Sequence, residues 1–199
     1  MYDIYQSTAD DACRFALGRS GRRTLVAVGL NPSTATREKS DPTAAKVERV
    51  ARAHGYDGFV LVNLCPVRAT VCRALPATVD PRVVAANLRA IVEVVGAVEG
   101  VTLWAAWGAP ILTRPFLVGA AAAIAERLER FGPAWQHFGP LTVGGHPRHP
   151  SRLSYAWRFA PFDVAAYLEE IHGIAADSGL DAAAAGSRNL RPSRQYRKP

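Results

Sequence analysis

Short, wholly apolar runs alternate along this chain with longer amphipathic segments. Thr24–Leu30 (TLVAVGL) has the pattern of a strand buried on both faces, bounded by Arg22-Arg23 and by Asn31-Pro32. Phe59–Leu64 (FVLVNL), Val101–Trp107 (VTLWAAW) and the shorter Ala134–Phe138 (AWQHF) repeat it. Between them lie helical patterns. One opens with Asp41 as cap and Pro42 at the first helical position, and Gly55 ends it. The others cover Pro81–Val95, Pro115–Phe131 and Pro161–His172. Thr8–Leu17 is expected as an N-terminal helix, with Asp10 and Asp11 in its first turn, where the helix dipole favours acids. Such alternation predicts an α/β protein with three layers, α/β/α, around a central four-stranded parallel sheet. This domain is expected to fill residues 1–173. Residues 174–199, with small residues, an alanine run and a basic end, have the character of a linker and an arm.

Composition narrows the class. With 199 residues, 49% hydrophobic and 21% charged, the chain has enough apolar surface for one core. No apolar run approaches the roughly 18 residues of a membrane span. The opening MYDIYQSTADD has acids where a signal peptide has bases, so a cytoplasmic, non-secreted protein is expected. Cys13, Cys65 and Cys72 fit no zinc or iron–sulfur spacing, so neither metal nor other cofactor is expected. Nothing in the pattern calls for a second copy, so a monomer is expected.

Charge points to a partner. The net charge is +7, and among the 24 basic residues only Lys39, Lys46 and Lys198 are lysine. Arg188, Arg191, Arg194, Arg197 and Lys198 crowd the last fourteen residues; without these five the remainder carries +2. A near-neutral domain with a basic arm suits a polyanion, and DNA is the expected partner.

Ligands of parallel sheets bind at the carboxyl ends of the strands, and the unusual residues of this chain follow its strands. GLNPSTA, Gly29–Ala35, lets a ligand approach the backbone and projects Asn31 from a strand tip; no GK[ST] follows, so it is not a P-loop. NLCPVRAT begins with Asn63, whose carboxamide at the end of an apolar strand needs neighbouring backbone or a ligand. Its Arg68 could contact phosphate. GGHPRHPSRLSY, Gly144–Tyr155, stiffens His146 and His149 between prolines. The two histidines lack a third ligand at zinc spacing, and no G-x-S-x-G elbow supports a serine hydrolase.

Together these segments resemble the uracil-DNA glycosylase superfamily. HPSRLS, His149–Ser154, is similar to its HPSPLS motif, and GLNPS resembles the first motif of the mismatch-specific, thymine-DNA-glycosylase-like branch. LWAAWGA, Leu103–Ala109, resembles its LLWG strand, and VLVNL the strand bearing its base-reading asparagine. The four stand in family order across roughly residues 24–157. GLNPSTA with the following DPT also resembles an uncharacterised bacterial family. The resemblance implies a glycosylase-like fold and a monofunctional DNA glycosylase, which hydrolyses the N-glycosidic bond of a flipped pyrimidine to leave an abasic site. It implies that Asn31 positions water and that His149 donates to the departing base. Asn63 then reads the base edge, beside Leu30 and Ser33. Ser151, Arg148 and Arg152 grip phosphate, and Leu153 fills the gap left by the flipped nucleotide. Asn31 cannot be a general base; Asp41 could supply a carboxylate, in competition with its role as helix cap. Where the uracil-specific motif carries tyrosine this chain carries Ser33, which opens the pocket to a 5-substituent, up to the hydroxymethylated or glucosylated cytosine of phage DNA. The alternatives are a non-catalytic nucleic-acid-binding relative and an N-glycosidase acting on RNA or nucleosides.

Overall fold

The four apolar runs form the parallel centre of one sheet. A computed structural model describes residues 1–177. The elements in chain order are β1 (Ile4–Ser7), β2 (Arg14–Arg19), β3 (Thr24–Gly29), α1 (Pro42–Ala53), β4 (Gly58–Asn63), α2 (Pro81–Gly96), β5 (Thr102–Ala105), α3 (Pro115–Leu128), β6 (Ala134–Phe138), β7 (Phe159–Pro161) and α4 (Val164–Asp177). Strand order is β1-β2-β4-β3-β5-β6-β7. The four central strands, β4, β3, β5 and β6, run parallel; β1, β2 and β7 are antiparallel additions at the two edges. The sheet is therefore mixed and seven-stranded, larger than the four strands expected from sequence.

Side-chain alternation along the central strands serves two cores. Val26, Val28, Val60, Val62 and Leu103 point to a face covered by α2, α3 and α4, through Ile91, Leu117, Ile124 and Ile171. Leu25, Ala27, Phe59, Leu61 and Trp104 point to the opposite face, where Val47, Val50 and Ala51 of α1 meet them. Helices thus cover both faces, which explains why the central strands carry apolar residues on each.

Three differences from the sequence reading have physical causes. Thr8–Leu17 is not helical: it holds the turn of the β1–β2 hairpin and the first four of the six residues of β2. Its acids serve the turn instead of a dipole. Asp10 accepts from Thr8 Oγ1 at 2.6 Å and from the Ala12 amide at 3.1 Å, while Asp11 adopts φ 55. The last helix starts at Val164, because Pro161 ends an edge strand, where a missing N–H does no harm. That helix continues to Asp177, past the expected boundary at 173. The basic arm lies outside the described residues.

The hairpin also captures the segment after β4. Arg14 N donates to Pro66 O at 2.9 Å, Arg68 N donates to Ala12 O at 3.1 Å, and Cys13 and Val67 form an antiparallel bridge. Arg68, expected from sequence as a phosphate contact, is the rivet of this arrangement. Its guanidinium donates to Asp11 Oδ2 at 2.9 Å, Ser33 O at 2.6 Å, Ala35 O at 3.0 Å and the Tyr5 hydroxyl at 2.6 Å. With its donors so committed, it is a structural residue. Arg68→Ala removes the ion pair of Asp11 and a donor from the Ser33 and Ala35 carbonyls, and is expected to cost about 2–4 kcal/mol in urea unfolding. Arg68→Lys keeps the charge but loses the planar fork, and should restore less than half of that loss.

Candidate functional site

Chain direction creates the crevice. From β3 the chain passes through α1 to β4 on one side; from β4 it passes through α2 to β5 on the other side of β3. The loops leaving β3 and β5 therefore diverge, and a crevice opens at their carboxyl ends. Its volume is about 690 Å³. Leu30, Asn31 and Ser33 enter it after β3, Trp107 and Gly108 after β5, and Arg148 and His149 from the loop after β6. All four loops expected to converge line it, the one after β4 through Ala69, Thr70, Val71 and Cys72 and not through Asn63.

His149 is half-buried in the wall. Pro150 and the short 3-10 turn Pro150–Arg152 fold the chain back, so that the Ser151 amide donates to His149 Nδ1 at 3.2 Å. The Ser151 hydroxyl lies 2.9 Å from the same nitrogen. A backbone N–H only donates, so Nδ1 must present its lone pair and the ring proton sits on Nε2. Burial pushes the imidazole pKa down to about 4, with Lys46 adding to the effect and Asp41 opposing it. At neutral pH the ring is an uncharged Nε2–H donor. Its seat requires a glycine opposite: Gly108 has φ +74, and a Cβ there would stand 3.1 Å from His149 Cβ. Lys46 Nζ, donating to Ser151 O at 2.7 Å, fastens this loop to α1.

Asn31 is also half-buried and has both amide hydrogens engaged, by Pro32 O at 2.9 Å and Ala69 O at 2.8 Å. What it offers a ligand is its carbonyl oxygen, an acceptor able to hold a water by its hydrogen. Asp41 lines the crevice but is the cap of α1: Oδ1 accepts from the Ala44 amide at 2.8 Å and Oδ2 from the Ala35 amide at 3.1 Å. Each oxygen thus accepts one backbone amide, Oδ1 that of the helix and Oδ2 that of the loop after β3. Leu30 is buried in the floor, and Ser33 stands half-buried beside it.

Other expected residues are placed elsewhere. Asn63 does not line the crevice; it is buried behind Gly29, where a Cβ would lie 2.7 Å from its Oδ1. Its carbonyl accepts from Asn87 Nδ2 at 2.9 Å. Leu153 is half-buried against the α1-side core with Trp157 and Phe159. His146 is buried and structural. Trp107 Nε1 donates to the Tyr167 hydroxyl at 3.2 Å, and that hydroxyl hydrogen-bonds His146 Nδ1 at 3.0 Å. This chain ties the histidine loop to α4. Ser151 and Arg152 stand exposed at the rim. Arg148 donates to Pro140 O at 2.7 Å and lies over the Trp157 ring at 5.3 Å.

Sequence reading missed Arg14. It lies in β2, is 1% exposed, and lines the floor with Leu30, Asp41, Leu61 and Trp107. Nη1 donates to Ala35 O at 3.0 Å, and Nε has no protein acceptor. Burial, joined by the charge of Arg68, brings its pKa down to about 10, against the pull of Asp41. An arginine alternating into a core face was the available signal, hidden by the helical reading of that segment.

A family model described as a protein of unknown function, DUF1643, matches residues 14–151, more than two thirds of the chain, and the chain belongs to that family. The match runs from Arg14 of the floor to Ser151 beside His149. No curated protein and no solved structure gives a significant match. No helix among the described residues is long and apolar enough to cross a membrane.

The seat of His149 has a pH signature. In the folded protein its pKa is about 4, below the roughly 6.5 of an unfolded histidine, so between these values the unfolded chain holds more protons. Stability contributed by the neutral ring is complete above about pH 6.5 and is lost as pH falls toward 4. His146 shifts in the same direction through burial. Urea midpoints measured from pH 7 to pH 4 should therefore fall less steeply for His149→Gln than for the natural protein. Equal slopes would place the ring in solvent.

Proposed function

We propose that this member of the DUF1643 family hydrolyses the N-glycosidic bond of a pyrimidine flipped out of DNA. The observation that carries the reading is His149: a neutral imidazole held by Ser151 as an Nε2–H donor, in the same crevice as the acceptor oxygen of Asn31. Glycosidic cleavage needs that pair. As the C1′–N1 bond breaks, its electrons leave with the base and negative charge gathers on O2; a neutral donor meets that charge without having stabilised the ground state as strongly. The sugar becomes cationic. A water oriented by Asn31 adds its oxygen to C1′ and releases a proton to solvent, giving an abasic site and the free base. The crevice, at about 690 Å³, is large enough for a nucleoside. Arg148 and Arg152 beside its mouth carry the charge that phosphate requires.

Substrate size follows from Ser33. A hydroxymethyl side chain stands where a ring would crowd the pyrimidine 5-position, so the crevice takes bases with a 5-substituent. Such bases arise from oxidised or mispaired pyrimidines and from modified phage DNA, which makes repair and defence the two settings for the activity. One observation favours a different reading. Asp41 has each oxygen engaged by a backbone amide, which leaves no carboxylate dedicated to activating water. A relative that binds nucleic acid without cleaving it accounts for this equally, and the assays below separate the two.

His149→Ala should reduce single-turnover excision by about a hundred- to a thousandfold, the usual loss of one oxyanion donor, and leave binding to abasic DNA intact. Unchanged excision would remove His149 from the chemistry. Ser33→Tyr should suppress excision of 5-substituted pyrimidines while sparing unsubstituted uracil, itself a poor substrate for the natural enzyme. Fast excision of uracil alone, indifferent to the added ring, would contradict the open wall.

A further inference from the structure

The floor of the crevice holds a buried donor, Arg14, that takes no part in the proposed bond cleavage. Arg14 is buried to 1% exposure, yet its guanidinium has a single protein hydrogen bond, to Ala35 O, and its Nε faces no acceptor. No carboxylate lies within ion-pair distance of it among the described residues. The neighbouring Arg68 has Asp11; Arg14 has the fields of Asp41 and, more weakly, of Asp11, and touches neither, the Asp41 oxygens being engaged by the Ala35 and Ala44 amides. Burying a charged donor without an acceptor is costly. Arg14 lines the floor of the crevice, so a ligand seated there can give its guanidinium an acceptor and recover part of the cost.

The position of that acceptor on a flipped base follows from connectivity. The sugar and backbone stay at the mouth, so N1 does as well. The ring position opposite N1, and so the one that reaches deepest, is C4. An arginine donates and never accepts. A 4-oxo group therefore satisfies Arg14, whereas a 4-amino group faces it with hydrogens. The residue expected from sequence to read the base, Asn63, is an amide that could serve either edge, and it is not in the crevice wall.

We propose that Arg14 is the specificity-determining donor of the crevice, and that it selects pyrimidines with an oxo group at position 4 over those with an amino group. This rests on the crevice being a base pocket, but not on its cleaving anything. Arg14→Gln replaces a donor-only group by one that can both donate and accept.

The test is equilibrium binding of free bases to the full chain, in two matched pairs: uracil against cytosine, and 5-hydroxymethyluracil against 5-hydroxymethylcytosine. Binding is followed at the Arg14 Nε–H resonance by nitrogen-15 NMR. The natural protein should bind each oxo base about ten- to a hundredfold more tightly than its amino partner and shift that resonance. Arg14→Gln should bring the ratio close to one. The comparison within the natural protein needs no variant to fold. Equal or tighter binding of the amino bases, a ratio that survives in Arg14→Gln, or no binding of any base at millimolar concentration each overturns the proposal. An oxo preference without excision of any base from DNA would keep Arg14 and sink the hydrolase. Excision with no oxo preference would do the reverse.

Discussion

Both polar groups of Ala35 are held by charged side chains, and the crevice depends on that grip. The Ala35 amide donates to Asp41 Oδ2 at 3.1 Å, and its carbonyl accepts from Arg14 and from Arg68, each at 3.0 Å. Hydrogen bonds to charged groups are worth about 1.5–3 kcal/mol each, so the loop after β3 is fixed by its middle as well as its ends. Several features follow from the one residue. Asp41 is placed to cap α1. Arg68, spent on the loop and on Asp11, is removed from the surface. Arg14 is drawn from an edge hairpin into the floor. Ala35 itself is fully buried, so a larger side chain would press on the groups that hold it.

Much of the fold was legible because the central strands are apolar on both faces, a pattern few other structures produce. TLVAVGL, FVLVNL, VTLWAAW and AWQHF become the four parallel strands, and the capping residues Asp41 and Pro42 begin α1 as expected. The edges were not legible. DACRFALGR carries helix formers at helical spacing, and it becomes a strand by pairing with β1 on one side and with β4, distant in sequence, on the other. Phe159–Pro161 is too short to announce itself and exists as a strand because β6 needs an edge partner.

The site divides along the same line. His149, Asn31, Ser33 and Leu30 stand at a strand end or in a proline-stiffened loop, which are local signals, and each lies in the crevice. Arg68 and Asn63 were misplaced because what they touch is set by distant chain: the Asp11 turn for one, Gly29 and Asn87 for the other. Gly108 was visible as a glycine after a strand, but its reason, the close approach of His149 Cβ, is purely tertiary. The chemistry that results has two uncommitted groups of opposite sense, a neutral N–H on His149 and a carbonyl on Asn31. On the proposed reading, the donor would stabilise a leaving base and the acceptor would hold a water.

Whether these groups break a glycosidic bond in DNA is decided by incubating the full chain, at stoichiometric concentration, with duplex and single-stranded oligonucleotides that each carry one altered pyrimidine, and scoring alkali-labile abasic sites. The expected result is abasic sites at pyrimidines bearing a 5-substituent, with release of the intact free base. Stable binding to the same oligonucleotides with no abasic site at any base would contradict it, and would make the crevice a reader of flipped bases that leaves their bonds intact.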